Sequence, residues 1–232
     1  MTTLWKIAVV IYGPPGAGKS TQAELIAKKK RVINFDTGRY LESILHSKEA
    51  ESVPVLKKER KIWDSGVLNT PKWVLGIVKK AAHGFAAVNQ GVIFSGSPRT
   101  LFEAFGDEKN EGLIPYLSKI YGKEKVFIFS LKVSDAVSIK RNSARLVCSV
   151  CNLPILANSN LTHCAFCGGP AKRRILDNPK IIKVRLNEFE DRTKPIISRL
   201  KNEGYKIFEI DGNKKPYLIS ETILQKISEY LP

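Results

Sequence analysis

Eight residues near the start decide most of what this chain can fold into: Gly13-Pro14-Pro15-Gly16-Ala17-Gly18-Lys19-Ser20. They match G-x-x-x-x-G-K-[ST] in full, after an apolar run and before a stretch of helical period. A glycine-rich turn in that place lets the backbone fold closely around an anion. Its N–H groups point inward, and the start of the next helix adds positive potential. Lys19 then reaches terminal phosphates as a point charge, and the Ser20 hydroxyl suits Mg²⁺. The turn alone implies binding of a nucleotide's phosphates, not a reaction.

The turn requires a strand before it and a helix after it, and the remaining pattern extends that frame. Apolar runs at Lys6–Tyr12, Arg31–Phe35, Gly91–Ser95, Lys125–Val133 and Tyr205–Ile210 are short and rich in Ile, Val and Phe. That is how strands buried on both faces read. Helical periods span Lys19–Lys30, Pro71–Asn89, Pro179 to about Leu200, and Tyr217–Leu231, where Ile219, Ile223 and Ile227 share a face. Strands alternating with helices predict an α/β fold, a three-layer P-loop core around a five-stranded parallel sheet. Two segments, about 37–68 and about 145–177, break the alternation. Neither shows a strand pattern, and both read as insertions projecting from the sheet's edge.

A chain of 232 residues can bury a core without disulfide staples. Its 43% apolar and 26% charged content excludes disordered, collagen-like and coiled-coil classes. No apolar run approaches the roughly 20 residues of a membrane helix. The opening MTTLWKIAVVIYGPPG leads into the glycine turn without a cleavage-site pattern, and reads as a buried strand rather than a signal peptide. No lipidation motif is visible. A cytoplasmic protein without a membrane partner is expected. Lys plus Arg is 38 against 22 Asp plus Glu, a net charge of +16, which attracts polyanions. Nucleic acid is therefore an open but less favoured partner, because no RNP aromatic motif, C2H2 finger or basic heptad is present.

All four cysteines fall in the second insertion as Cys148-x2-Cys151-x12-Cys164-x2-Cys167. Two such knuckles can place four thiolates around one tetrahedral metal. Disulfides are the alternative, but nothing suggests secretion. Structural Zn²⁺ is the favoured reading, since four protein ligands leave no open position. His163, beside Cys164, reads as a surface histidine.

The loop continues as GPPGAGKSTQAELIAKK. With Asp36-Thr37-Gly38 and Gly96-Ser97-Pro98-Arg99-Thr100, it resembles the adenylate kinase family of nucleoside monophosphate kinases. The resemblance covers most of the chain. Asp64 to Thr70 is similar to the end of the family's monophosphate-binding helices. Arg141 to Arg145 resembles the hinge entering a lid, Arg174 to Arg185 the segment leaving it, and Asp211-Gly212 the loop near the adenine of ATP. The resemblance implies a core (1–36, 69–144 and 178–232), a monophosphate-binding insertion (37–68) and a zinc-binding lid (145–177). It implies ATP contacts from Gly13, Pro14, Gly16, Ala17, Gly18, Lys19, Ser20, Thr21, Arg141, Arg145 and Gly212. Monophosphate contacts are implied for Thr37, Gly38, Arg39, Leu68, Gly96, Arg99, Glu103, Arg174 and Arg185. Lys19, Arg99, Arg141, Arg145, Arg174 and Arg185 would stabilise the transferring phosphoryl, with Mg²⁺ accompanying ATP. Guanidinium forks suit phosphate oxygens, and phosphoryl transfer is mainly positioning and charge neutralisation. The implied reaction is reversible transfer of the ATP γ-phosphoryl to AMP, by an architecture that can work as a monomer.

The chain departs from the family pattern in four respects. Ser95 stands where an Asp helps hold the water shell of Mg²⁺. Leu176 and Asp177 stand where two Asp residues return from the lid. Arg39 and Glu42 exchange the signs of an Asp and an Arg. Either Arg39 takes over a phosphate contact, or the two form a surface pair. Glu103 stands where a Gln reads adenine. A carboxylate only accepts, and guanine's edge offers two donors, so Glu103 favours GMP unless it points to solvent. The readings left open beside AMP are GMP or another acceptor, and a catalytically weak P-loop protein that binds nucleotide or RNA.

Overall fold

The structure is a computed structural model and describes residues 5–151, 153–155 and 159–230. Residues 1–4 of the opening stretch, residues 152 and 156–158 of the second insertion, and Leu231 at the end of the last expected helix lie outside the described residues.

The first half runs β1 (Ala8–Tyr12), α1 (Lys19–Lys30), β2 (Ile33–Phe35), α2 (Thr37–Leu45), α3 (Pro54–Asp64), α4 (Pro71–Ala87) and β3 (Val92–Phe94). A short helix α5 (Leu101–Phe105), a hairpin of β4 (Gly106–Asp107) and β5 (Asn110–Glu111), and α6 (Leu113–Tyr121) follow. The sequence pattern gave no element there. Gly112 and Gly122 bound α6, a helix of nine residues with Pro115 in its first turn, so its Leu113, Ile114, Leu117 and Tyr121 face is too brief for a clear period. Next come β6 (Val126–Lys132) and α7 (Asp135–Ala144). Then come β7 (Leu146–Cys148), β8 (Pro154–Ile155), β9 (Ala171–Lys172), α8 (Pro179–Glu188), α9 (Lys194–Asn202), β10 (Ile207–Asp211) and α10 (Pro216–Ser228).

The main sheet has five parallel strands in the order β10-β6-β1-β3-β2. Each expected strand is present with a later start, and β10 runs one residue past its expected end. Along β1, Ala8, Val10 and Tyr12 pack on one face with residues of α4, α6 and α9, while Val9 and Ile11 pack on the other with α1 and α10. Period-two side chains on a doubly covered strand produce this three-layer core. Helices α8 and α9 flank a π-helical turn at Phe189–Thr193. Pro195 lacks the N–H that an α-helical ladder needs there.

The expected absence of strand holds for 37–68 among the described residues but fails for 145–177. That segment carries a three-stranded antiparallel sheet in the order β8-β7-β9. Its strands span two or three residues, too few for alternation to register in sequence. The cysteine knuckles pin them: Cys148 N donates to Leu153 O and Cys164 N to Gly169 O.

Candidate active site

The glycine turn emerges from the buried end of β1 and feeds α1. Gly16 and Gly18 take φ of 78° and 92°, the left-handed region where a side chain is strained. A Cβ at Gly16 would also lie 2.7 Å from Asn142 Nδ2. Helix α7 packs beneath the turn, where Ser138 Oγ donates to Pro15 O at 2.5 Å. Lys19 Nζ folds back to donate to Gly13 O at 2.7 Å and Pro14 O at 2.9 Å. Gly16, Ala17, Gly18, Lys19, Ser20 and Thr21 line a cleft of about 700 Å³. Gly13 and Pro14 do not line it; their carbonyls hold Lys19.

Four of the five expected arginines converge here. Arg99 Nε donates to Gly96 O at 2.7 Å, which aims the guanidinium across the end of β3. Arg145 forks onto the buried Asp177, Nε to Oδ2 at 2.8 Å and Nη2 to Oδ1 at 2.5 Å. Arg185 donates to Leu176 O at 3.0 Å and lies 3.6 Å from Asp177 Oδ1. Arg174 pairs with Glu42 at 2.8 Å. Burial, then Arg99, Arg185 and Arg145, hold the Lys19 ammonium well below its ordinary pKa, against the opposing pull of Asp36. Burial, then Arg99, Arg145 and Arg174, push Arg185 down to about 9. Burial likewise lowers Arg99, with Glu103 and Asp36 opposing. Cations brought together with so few acids form a site in need of anionic oxygens.

The fifth arginine lines the same cleft at a different place. Arg141 Nη1 donates to Gly212 O at 2.9 Å, with Gly16 O at 3.4 Å. The structure joins it to the loop after β10 rather than to the cluster around Lys19. Asp177, by contrast, read in sequence as half of an incomplete acid pair, yet it anchors two of the arginines. Nothing local in the sequence signals that role, because its partners Arg145 and Arg185 sit on other elements.

On the opposite side of the cleft, Thr37, Gly38, Arg39, Leu68, Gly96, Arg99, Glu103, Arg174 and Arg185 all line the wall. Arg39 and Glu42 do not pair with each other: Arg39 Nε lies 3.6 Å from Asp36, and Glu42 holds Arg174. Arg39 turns to the cap of its own helix and Glu42 to a residue far along the chain, and the surface-pair reading is set aside. Thr37 Oγ1, Ser95 Oγ and Ser97 Oγ are buried without hydrogen-bond partners among the described residues.

Glu103 does not point to solvent. It is 2% exposed, accepts from Arg99 N at 2.9 Å and from Thr100 Oγ1 at 3.2 Å, while Thr100 Oγ1 caps α5 by accepting from Glu103 N. This is a capping-box arrangement turned into the cleft. Burial raises its pKa from 4.5 to about 6. The folded state therefore holds this proton more tightly than the unfolded chain. Stability is unaffected below about pH 4.5 and falls as pH rises through about 6. Glu103→Gln is expected to raise stability by about 1–2 kcal/mol at pH 7.5, or roughly 2–6 °C in Tm. The gain should shrink at pH 5. Thermal melts at the two pH values check it, and an equal gain at both contradicts the assignment.

In the small sheet, Cys148 Sγ lies 3.4 Å from Cys167 Sγ and Cys151 Sγ 3.7 Å from Cys164 Sγ; the four sulfurs fall within 4.8 Å of one another. Tetrahedral Zn–S bonds of about 2.3 Å place sulfurs about 3.8 Å apart, so the set fits that ion. Amides of Val150 and Cys151 donate to Cys148 Sγ, and that of Phe166 to Cys164 Sγ. His163 is exposed, contacts Thr162 Oγ1 at 3.1 Å and is not part of the cluster.

A parallel sheet in this order, with a phosphate loop after β1 and cations gathered over it, defines a P-loop phosphotransferase. Comparison with known proteins narrows the class. The family model for adenylate kinase matches residues 11–205. Curated adenylate kinases include that of Chlamydia pneumoniae, 30% identical over 94% of this chain and 96% of the relative. That of Elusimicrobium minutum is 30% identical over 96% and 97%, and that of Magnetococcus marinus 33% identical over 88% and 92%. The chain belongs to the adenylate kinase family of ATP-dependent phosphotransferases. No helix among the described residues is long and apolar enough to cross a membrane.

Proposed function

We propose that the protein is an adenylate kinase, transferring the γ-phosphoryl of ATP to AMP reversibly. The observation that carries the reading is the joint cluster of Lys19, Arg99, Arg145, Arg174 and Arg185 around one cleft, where burial first and neighbouring cations second lower the pKa of Lys19 and Arg185. Two phosphate chains meeting there supply the missing negative charge. The donor lies in the glycine turn, with Ser20 and Thr21 at its terminal phosphates and Arg141 and Gly212 on the base side. The acceptor lies against 37–68, held by Arg99 and by Arg174 once phosphate displaces Glu42. No general base is needed, because the acceptor oxygen is already ionised. The arginines orient both groups in line and neutralise charge as it redistributes. Ser20 would help hold Mg²⁺, which would supply further charge neutralisation. The segment 145–177 acts as the lid, its hinge arginine Arg145 tied to Asp177, and excludes water so that ATP reacts with the acceptor. Cys148, Cys151, Cys164 and Cys167 would hold a structural Zn²⁺, which would tie the lid's short strands together. The enzyme is taken to work as a cytoplasmic monomer.

A GMP acceptor is favoured by one observation, the inward, buried carboxylate of Glu103. A coupled assay with ATP and each of AMP, GMP, CMP and UMP separates the readings. AMP is expected to exceed the others about tenfold in kcat/KM, a difference of about 1.4 kcal/mol. A tenfold preference for GMP overturns the AMP assignment, and no turnover with any acceptor overturns the kinase reading.

A further inference from the structure

The end of β3, beside the glycine turn, carries no acid. Ser95 is 2% exposed and its hydroxyl has no partner among the described residues. The sheet register supplies a neighbour. Strands β2 and β3 pair in parallel with Phe35 opposite Phe94, so Asp36 and Ser95 leave the sheet side by side. They do so at the carboxyl edge, where ligands of open α/β sheets bind. Gly96 and Gly38 pack tightly there: a Cβ on Gly96 would lie 3.2 Å from Gly38 N and 3.3 Å from Arg99 Nη2. A Cβ on Gly38 would lie 3.3 Å from Asp36 Oδ1 and 3.9 Å from Arg99 Nη2. The carboxylate thus stands at the same spot as the acceptor-side guanidinium, in the cleft that Lys19 and Ser20 also line.

We propose that Asp36 orders the water shell of the nucleotide-bound Mg²⁺, supplying from β2 the carboxylate that the end of β3 lacks. This rests on the phosphotransferase reading above. The other acids of the cleft are engaged elsewhere. Glu24 accepts from Asn34 at 3.1 Å and lies 3.3 Å from Lys28; Glu42 holds Arg174; Glu103 holds the start of α5. Asp36 uses Oδ1 to cap α2, accepting from Arg39 N at 3.1 Å. Its Oδ2 faces the half-exposed Arg39 guanidinium at 3.6 Å, beyond hydrogen-bond length, and can accept from a metal-bound water. Asp36 is also the acid that acts on the Lys19 ammonium and opposes the lowering of its pKa. Mg²⁺ keeps several waters when bound through phosphates, so a carboxylate one water away suits it. The donor set fits: a direct hydroxyl from Ser20 and an outer carboxylate from the neighbouring strand.

Asp36→Asn tests this, because Asn caps a helix as well as Asp and removes only the charge. Mn²⁺ is titrated by electron paramagnetic resonance into protein saturated with a non-hydrolysable ATP analogue. Asp36→Asn is expected to weaken Mn²⁺ about tenfold, the scale of a lost outer-shell partner. Metal-free affinity for the analogue and the Tm should stay near wild type. Adding Ser95→Asp to Asp36→Asn returns a carboxylate to the adjacent strand end and should restore most of the affinity. Mn²⁺ affinity within twofold of wild type in Asp36→Asn, or no recovery in the double variant, overturns the proposal and leaves the kinase reading intact. If Asn disturbs α2, Asp36→Ser, another good cap, carries the same expectation. Failure of the wild-type protein to bind the analogue at all overturns both readings.

Discussion

Lys19→Met is expected to lower kcat about a thousandfold, within the range of losing one preorganised charge at a phosphoryl-transfer site, while the unliganded protein becomes no less stable. The two halves have one cause. Among the described residues the ammonium donates only to Gly13 O and Pro14 O, and burial plus three nearby guanidinium groups work against its charge. Removing it relieves that repulsion in the unliganded fold. With ATP bound, the same charge faces the terminal phosphates, and its loss is felt most as negative charge shifts during transfer. Steady-state kinetics and a thermal melt of the two proteins without ligand test both halves. A variant within tenfold of wild type in kcat would remove Lys19 from the mechanism. A large fall in the Tm of the unliganded protein would mean that the lysine is mainly a brace for the turn.

The second large effect concerns the cysteine cluster. Purified protein is expected to carry one zinc per chain, and Cys148→Ser or Cys164→Ser to carry almost none. The segment that would hold the ion is small: three strands of two or three residues, with Cys148 and Cys164 its buried cysteines. Such a unit has too little apolar surface to order itself. Structural zinc contributes about 10–16 kcal/mol in comparable small folds. The lid should therefore become protease-sensitive between Arg145 and Asp177, with kcat falling at least about tenfold because closure is impaired. The main sheet, whose core is separate, should melt nearly as before. Elemental analysis, limited proteolysis and kinetics read the three consequences. Full activity and an intact lid after chelation would show that the thiols do not need a metal.

Several features could be read before any coordinates. The glycine turn is local: its φ angles and inward amides follow from residues within one short stretch. The cysteine spacing is nearly as local, and the buried strands announce themselves by unbroken runs of branched and aromatic residues. Reading was weakest for short elements. Helix α6 and the strands of the cysteine segment are stable only through what they pack on, so their residues carry little periodic signal. The Arg39 and Glu42 pairing went astray for a related reason. Helical spacing makes the two neighbours possible, but Arg39 turns to Asp36 at the cap of its own helix, and Glu42 meets Arg174, a partner that spacing could not reveal.

What the chain's order of residues determined was chemistry with a local cause: an anion-binding turn, a four-thiolate set and a doubly covered parallel sheet. The partner of each charge was decided only in three dimensions. Asp177 meets Arg145 from 32 positions away, and Glu42 meets Arg174 from 132. Asp36 comes to lie beside Ser95 only through strand pairing. Coulomb energy depends on distance and burial in the folded molecule, and a linear sequence specifies neither until the sheet register and the helix packing have been set.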